Sequence, residues 1–494
     1  MKYELERAEE GVRELTKTRN LRWYPDFHIA ARAGWINDPN GLSFFAGRYQ
    51  VYFQHHPFGT KHGPMHWGHV SSEDLVTWRR EPIAMAPSVD EDKDGVFSGS
   101  AVVDDESGRL VAYFTGNQWA NGVNEKDGVK QVQLMADSKD GVHFRDKRVV
   151  IRTPANVTHF RDPKVWKQDD AWYLILGACS ERDRGQVWLY TSENMRDWEF
   201  DQILFEDPDP DVFMLECPDM FPLNDKWVLT YCPMGLRAKG AIGRNHHNAG
   251  YVVGEWQPGE EFKQETPYRP ADWGHDYYAP QSFKGPDGRR ISFAWMGGFV
   301  RDLPSQASDS WSGQLTIPRV QVLNIDKILC SMPVPELKNL RRSTEVISLS
   351  LIDDNEVVLL RRDSGPIEIE AEFDLSVTTS DRFGFKLHLT PDGHHTFVGY
   401  DAASSTVFID RRLVAEGDGG IRTAPVTGDR LSLRIFVDNG SIELFANGGV
   451  AVMSSFSFCG SGPRAVEMSS EGGHAVVESL KIHDLKSIWL DGEK

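Results

Sequence analysis

"GWINDPNGLSFFAGRYQVYFQ", residues 34–54, sets five turn-forming residues, Asn37-Asp38-Pro39-Asn40-Gly41, directly before two runs of strand-forming aromatics. Asn and Asp bond their side chains to nearby backbone, Pro fixes φ, and Gly accepts positive φ, so each favours a turn for its own reason. An ordinary turn is satisfied by two such residues. The longer run predicts a chain bent at a defined place, with Asp38 held at the bend.

The same grammar recurs down the chain. "NDPNGLSFFAGRYQVYFQ", "SGSAVVDDESGRLVAYFTG", "RDPKVWKQDDAWYLILG", "CPDMFPLNDKWVLTYC" and "APQSFKGPDGRRISFAWMG" begin near residues 37, 98, 161, 217 and 279. Each opens on a small polar or acidic patch, runs into a strand, turns at Gly, Asp or Asn, and returns as an aromatic-rich strand. A fainter repeat lies between these copies: "SEDLVTW" at 72–78, "SKDGVHF" at 138–144 and "SENMRDW" at 192–198 each place an aromatic six residues after a Ser. A repeat of roughly sixty residues with several short strands per unit predicts an all-β protein, a five-bladed β-propeller over residues 21–335. Apolar spacing near two, or continuous, excludes helical repeats. A pair of irregular β-sandwiches is the structural alternative.

The flanks read differently. In residues 1–20, Leu5, Ala8, Val12 and Leu15 form one helical stripe among charges, predicting a short N-terminal helix packed on its own domain. After Met332, "MPVPELKNLRRSTEVISLSL" carries two prolines and a basic stretch, which predict a linker at 336–345 and a C-terminal β-sandwich over 346–494. There "LSLRIFVD" (431–438) puts Leu431, Leu433, Ile435 and Val437 on one face, turns at Asn439-Gly440, and returns through Ile442 and Leu444. No catalytic cluster stands out in this part.

Bulk composition narrows the function. A net charge of −19 argues against a nucleic-acid partner. Five cysteines, odd in number and without metal-ligand spacing, read as reduced thiols of an intracellular protein. The charged N-terminus lacks the apolar core of a signal peptide, and no apolar run approaches a membrane span. The expectation is a cytoplasmic protein with no membrane partner; its oligomeric state is not readable.

In a propeller, residues opening each blade gather at one mouth of the axis. Asp38, Asp162 in "FRDPKV" and Glu216 in "LECPDMF" open three copies, so three acids are expected to converge. Like charges brought together repel and raise at least one pKa, so stability gives no reason for the arrangement. Paired carboxylates suit metal-assisted hydrolysis or glycoside cleavage. A metal site usually adds His, but the adjacent pairs His55-His56 and His246-His247 do not match the repeat, and no metal or cofactor is expected. Sugar-handling signals are stronger: Trp35, Trp67, Trp295 and Trp311 offer flat rings for a sugar face, and Asn37, Gln54 and Ser98 offer hydrogen bonds to hydroxyls.

These segments resemble glycoside hydrolase family 32, the β-fructofuranosidases. The matching motifs are "WINDPNG" at 35–41, "YFQHHP" at 52–57, "WGHVSSEDLVTW" at 67–78, "FSGSAV" at 97–102, "FRDPKV" at 160–165, "ECPDMF" at 216–221, "YYAPQSF" at 277–283 and "WSGQLTIPR" at 311–319. By that resemblance Asp38 is the nucleophile, Glu216 the general acid/base and Asp162 the transition-state stabiliser, with Arg161 beside it. A carboxyl separation of about 5–5.5 Å between the first two would then give retention through a covalent fructosyl-enzyme. Asn37, Gln54, Phe97 and Ser98 match positions lining the fructose subsite, and Tyr278 and Trp295 are further walls. One departure is His62, in "GTKHGPMHWGH", where many relatives carry Trp; a stacking ring exchanged for imidazole alters the wall and the leaving-group preference.

The expected function is a retaining, exo-acting β-fructosidase for sucrose and short fructo-oligosaccharides. A fructosyltransferase uses the same intermediate but passes it to a sugar. A non-catalytic sugar-binding propeller has no need of Asp38 and Glu216 together. Recognition of a phosphorylated sucrose would call on Arg237, Lys239 or Arg244 in "GLRAKGAIGRN".

Overall fold

The computed structural model describes residues 2–460 and 462–490; residue 1 of the expected N-terminal extension and residues 461 and 491–494 of the expected sandwich lie outside them. Among the described residues the chain is all-β apart from short helices. Five sheets of four or five strands occupy 34–333, and two sheets of seven and six strands occupy 341–485.

Each of the first five sheets starts with one copy of the repeat. The opening strands are β1 (Gly34–Phe45), β2 (Val96–Asp104), β3 (Val157–Gln168), β4 (Met214–Leu223) and β5 (Tyr278–Lys284). Each returns antiparallel as the aromatic-rich strand of its repeat. After β1 the turn is Ala46-Gly47, both at positive φ (52° and 75°), the conformation whose twist suits a two-residue hairpin. The opening strands pack neighbour to neighbour in chain order, and β5 packs against β1, so they enclose a common axis. A short strand, β6 (Trp311–Ser312), pairs in parallel with Gly34 and Trp35 and ties the end of this unit to its beginning.

The fainter repeat has a physical cause. Asp74, Asp140 and Asn194 each accept two backbone N–H bonds from the residues that follow, and each lies two residues after the repeat's Ser. The next residue takes positive φ in all three copies (Leu75 63°, Gly141 76°, Met195 66°). These side-chain-closed turns deliver Trp78, Phe144 and Trp198 into the packing between sheets.

The last two sheets share one core. Leu431, Leu433, Ile435, Val437, Ile442 and Leu444 are all buried in it, facing Phe383, Phe385 and Leu387 from the other sheet. Residues 336–345, expected as a linker, are structured. Pro335–Leu340 is a 3-10 turn with Leu337 and Leu340 buried, and Arg341–Val346 is a strand pairing with Ala475–Leu485. Helix α1 (Lys2–Thr16) packs on its own chain: Ala8 and Val12 are buried against Ile83, with Leu5 beside them. No helix among the described residues is long and apolar enough to cross a membrane.

A wholly buried ion cluster joins the two units. His28 bonds Asp438 at 2.8 Å and Glu443 at 2.9 Å, while Arg319 bridges Glu443 to Asp272. Burial alone lowers a histidine, but the two carboxylates outweigh it and raise His28 to about 9, so it is charged at neutral pH.

Candidate active site

The repeat positions its functional residues by breaking its own ladder. In every opening strand two residues face one on the partner: Asn37-Asp38, Phe97-Ser98, Asp162-Pro163, Cys217-Pro218 and Ala279-Pro280 fall in the register shifts. A β-bulge leaves a residue unpaired and re-aims side chains, and Pro, which cannot donate to a ladder, is tolerated there. Asp162 (φ 67°), Cys217 (49°) and Ala279 (50°) are turned into the left-handed region at these bulges.

Aligning the bulges on Pro39, Gly99, Pro163, Pro218 and Pro280 shows that the three acids do not open their copies at one equivalent position. Asp38, Ser98, Asp162, Cys217 and Ala279 form one row, and Asn37, Phe97, Arg161, Glu216 and Tyr278 form the row before it. Glu216 therefore does not occupy the same repeat position as the two aspartates; it corresponds to Asn37, Arg161 and Tyr278. The acids converge from two adjacent rows.

The rows touch as follows. Ser98 Oγ donates to Asp38 Oδ2 at 2.6 Å, and Asn37 Nδ2 donates to Oδ1 at 3.1 Å. Trp35 Nε1 holds Asn37 Oδ1 at 2.7 Å. Cys217 Sγ lies 3.5 Å from Oδ2 of both Asp38 and Asp162, and the Cys217 N–H donates to Asp162 Oδ2 at 3.0 Å. The Asp162 N–H donates to Thr115 Oγ1 at 3.0 Å, fixing the bulge. Arg161 donates to Glu216 Oε1 from Nε at 3.1 Å and Nη2 at 2.6 Å, and Tyr278 OH donates to Oε2.

Charge in this cluster is shared unequally. Burial lifts Asp38 above the usual carboxylate range, and the Glu216 charge adds to it, against the pull of Ser98 and Asn37. Burial likewise raises Asp162 to about 7, with Glu216 and Asp38 adding to the rise and Arg161 opposing it. Burial pushes Glu216 up as well, but Arg161 and Tyr278 outweigh it and hold this carboxyl below its ordinary value. The two aspartates are thus held toward their protonated forms and Glu216 toward its ionised form. Among the described residues no group of three or more His, Cys, Asp or Glu side chains is arranged to hold a metal ion.

The surroundings sort the remaining expected residues. Gln54, opposite the first bulge, is buried and donates to Val96 O at 2.9 Å. Trp67, expected against the sugar, is wholly buried in the core between the first two sheets; its indole N–H holds Phe97 O at 3.1 Å from behind. Trp311 is likewise core. His62 is exposed and meets Trp35, Phe97 and Phe299 edge-on at 6.4, 5.9 and 5.5 Å. Trp295 is buried behind Tyr278 and Phe299. His55 bonds Trp35 O at 2.8 Å, a structural role. Arg237 pairs with Asp211 on the surface.

Sequence reading missed Phe299, His159 and Cys217; His247, expected as a surface or pocket-wall residue, lies against Tyr278 and Phe299. Phe299, 41% exposed, is the hub of the rim, meeting Trp35, His62, His247, Tyr278 and Trp295 at 4.8–6.4 Å. His159 Nδ1 accepts from Arg161 Nη1 at 3.0 Å. Only Cys217 left a signal, its place before Pro218 matching Asp38-Pro39 and Asp162-Pro163.

A buried carboxylate cluster with one arginine-bridged acid, beneath a rim of flat rings, is a site for a neutral polyol. Comparison with known proteins identifies the family. Residues 28–333 match the glycosyl hydrolases family 32 N-terminal domain, and residues 336–484 match the family's C-terminal domain. An Escherichia coli sucrose-6-phosphate hydrolase is 38% identical over 475 residues, covering 96% of this chain and 97% of that protein. An E. coli raffinose invertase is 37% identical over 97% of this chain and 98% of that protein. Among solved structures, the Bombyx mori β-fructofuranosidase BmSUC1 superposes with a TM-score of 0.85 at 30% identity, covering 98% of each chain. The chain belongs to glycoside hydrolase family 32.

Proposed function

We propose that this enzyme is a retaining, exo-acting β-fructofuranosidase that releases fructose from the non-reducing end of sucrose and short fructo-oligosaccharides. The observation that carries the reading is the gathering of Asp38, Asp162 and Glu216 from three bulges around Cys217, with donors on each carboxylate. In this reading Asp38, aimed by Ser98 and Asn37, attacks the anomeric carbon and forms a fructosyl ester. Glu216 gives its proton to the departing oxygen, then takes one from the water that opens the ester, so configuration is retained.

Proton placement follows from the same contacts. Before substrate enters, Glu216 is the acid with the lowered pKa and Asp162 the one raised to about 7. Fructose hydroxyls that donate to Asp162 and Asp38 favour their ionised forms, and the proton held by the cluster passes to Glu216, where the leaving oxygen needs it. Asp162, ionised beneath the ring, then stabilises the oxocarbenium-like transition state.

In the same reading the five sheets of 34–333 are the blades of a five-bladed propeller and the later two a β-sandwich, with the change of unit at Pro335–Leu340. The five buried cysteines, all free, suit a reducing cytoplasm.

The test is free glucose and free fructose measured over time with purified enzyme and sucrose, then with sucrose 6-phosphate and kestose. Equal release of both sugars supports hydrolysis, and glucose in clear excess indicates transfer to a sugar acceptor. If all substrates stay intact, the reading as a sugar-binding propeller replaces this one. Asp38→Asn is expected to abolish turnover with an unchanged melting transition; near-normal rates would remove Asp38 as nucleophile.

A further inference from the structure

The two-sheet unit holds the segment that leads into β5 by several bonds, among them Asp276 N–H to Ser454 O at 3.1 Å and Ser455 Oγ with His275 Nδ1 at 3.1 Å, and one carboxylate carries the contact on toward the rim. Asp276 is wholly buried, two residues before Tyr278. Its Oδ2 accepts from Arg411 Nη1 at 2.6 Å and from the Phe456 N–H at 2.8 Å, both in the two-sheet unit. Its Oδ1 accepts from Arg301 Nη2. Arg301 follows Phe299, the hub of the rim, by two residues, and its Nη1 lies 3.4 Å from Asp418 Oδ2.

The Asp276 carboxylate thus links two segments at once: the entry to β5, which carries the hydroxyl bonded to Glu216, and the loop that carries the rim's central ring. Two guanidiniums on one buried acid are a costly way to fasten a loop, since apolar packing of similar volume often does as well. What the ionic arrangement adds is direction: the planar donors fix where both segments sit.

We propose that Arg411, acting through Asp276 and Arg301, is a positioning residue for the reaction: it sets the Tyr278 hydroxyl and the Phe299 ring against Glu216, so that the two-sheet unit governs the leaving-group side of the site. The proposal rests on the reading of Glu216 as acid/base. Misplacement of a positioned group by about 1 Å can cost on the order of a hundredfold in rate.

Arg411→Met and Arg301→Met are compared with the unaltered enzyme on sucrose and on p-nitrophenyl β-D-fructofuranoside, whose phenolate leaves without needing a proton. The expected result is a fall in kcat/KM of at least tenfold on sucrose and under threefold on the aryl fructoside. The pH limb that reports Glu216 should also move upward as its Tyr278 donor is loosened. The other charged and titratable groups that face Glu216 (Arg161, Asp38, Asp162, His62, His159, Cys217, Cys232) keep their side chains in both variants, whereas Arg301→Met also removes a charge that lowers His247, so the pH limb is read on Arg411→Met and the substrate ratio on both.

Unchanged sucrose kinetics and pH limb, with only a lower melting temperature, would reduce Arg411 to a fastener between units and overturn the proposal. Equal losses on both substrates overturn it too. Should Arg411→Met fail to fold, Arg301→Met, at a side chain 27% exposed, decides alone. Glu216→Gln is the control for the underlying reading: if its kcat/KM, which reports formation of the ester, falls equally on both substrates, Glu216 is not the acid, whatever Arg411 does.

Discussion

Ser98→Ala isolates the nucleophile's environment. Ser98 Oγ donates to Asp38 Oδ2 at 2.6 Å in a buried setting, and Asn37, on the other oxygen, stays in place. A hydrogen bond to a charged group contributes about 1.5–3 kcal/mol, and a pKa unit corresponds to about 1.4 kcal/mol, so Asp38 should rise by about one to two units. Burial already holds this carboxyl above its ordinary value, and deleting a donor pushes it further the same way. The acid limb of kcat/KM for sucrose, followed from pH 4 to 8, is therefore expected to move to higher pH by about one to two units. The limb belongs to a coupled cluster, but only Asp38 loses a donor, so its direction is fixed. Stability follows the same sign. A carboxyl raised by folding contributes stability below its unfolded pKa and loses it as pH rises through the folded value, so the variant should lose more melting temperature at pH 7 than at pH 4. An acid limb that stays put or moves down refutes the assignment of Ser98 to the Asp38 carboxylate.

Three further outcomes are expected. His62→Trp should change the ratio of KM values for sucrose and kestose by about fivefold, the worth of an aromatic contact of about 1 kcal/mol; an unmoved ratio removes His62 from the wall. The His28 cluster should contribute about 3 kcal/mol, fully present below about pH 6.5 and lost as pH rises through about 9, because folding raises this histidine; denaturation midpoints at pH 6 and 9.5 measure it, and His28→Gln should flatten the difference. Dialysis against EDTA should leave activity within error of an untreated sample, and a loss restored by a divalent cation would count against a metal-free reaction.

How much of this was legible depends on whether a residue's role was written locally. Asp38 and Asp162 were, because an acid before Pro in a strand-opening repeat marks a bulge in sequence as in structure. Glu216 was assigned one position out, since a repeat aligned by composition does not show the slip that a bulge introduces. Trp67 was misplaced because the same ring serves a core or a sugar, and two-residue periodicity cannot say which layer lies behind the wall. Phe299 was invisible: it follows two glycines on a loop with no counterpart in the repeat, and its partners come from four other places in the chain. The linker reading failed for a different reason. Arg342 and Ser343 look solvated, and they are, but on an edge strand whose backbone is paired, while Arg341 turns in to pair with Glu368 and Glu370.

The parallel pairing of Trp311–Ser312 with Gly34–Trp35 also sets a clock. The strand bearing Asp38 leaves the ribosome with one edge free, and the partner for its Gly34–Trp35 end is made 277 residues later. At about 5–20 residues per second that is roughly 15–55 s of synthesis. Throughout that interval the nascent chain exposes an unpaired, aromatic-flanked edge of the kind that templates association between chains. Yield of active enzyme should therefore be limited by chaperone supply and translation speed more than by the stability of the finished fold.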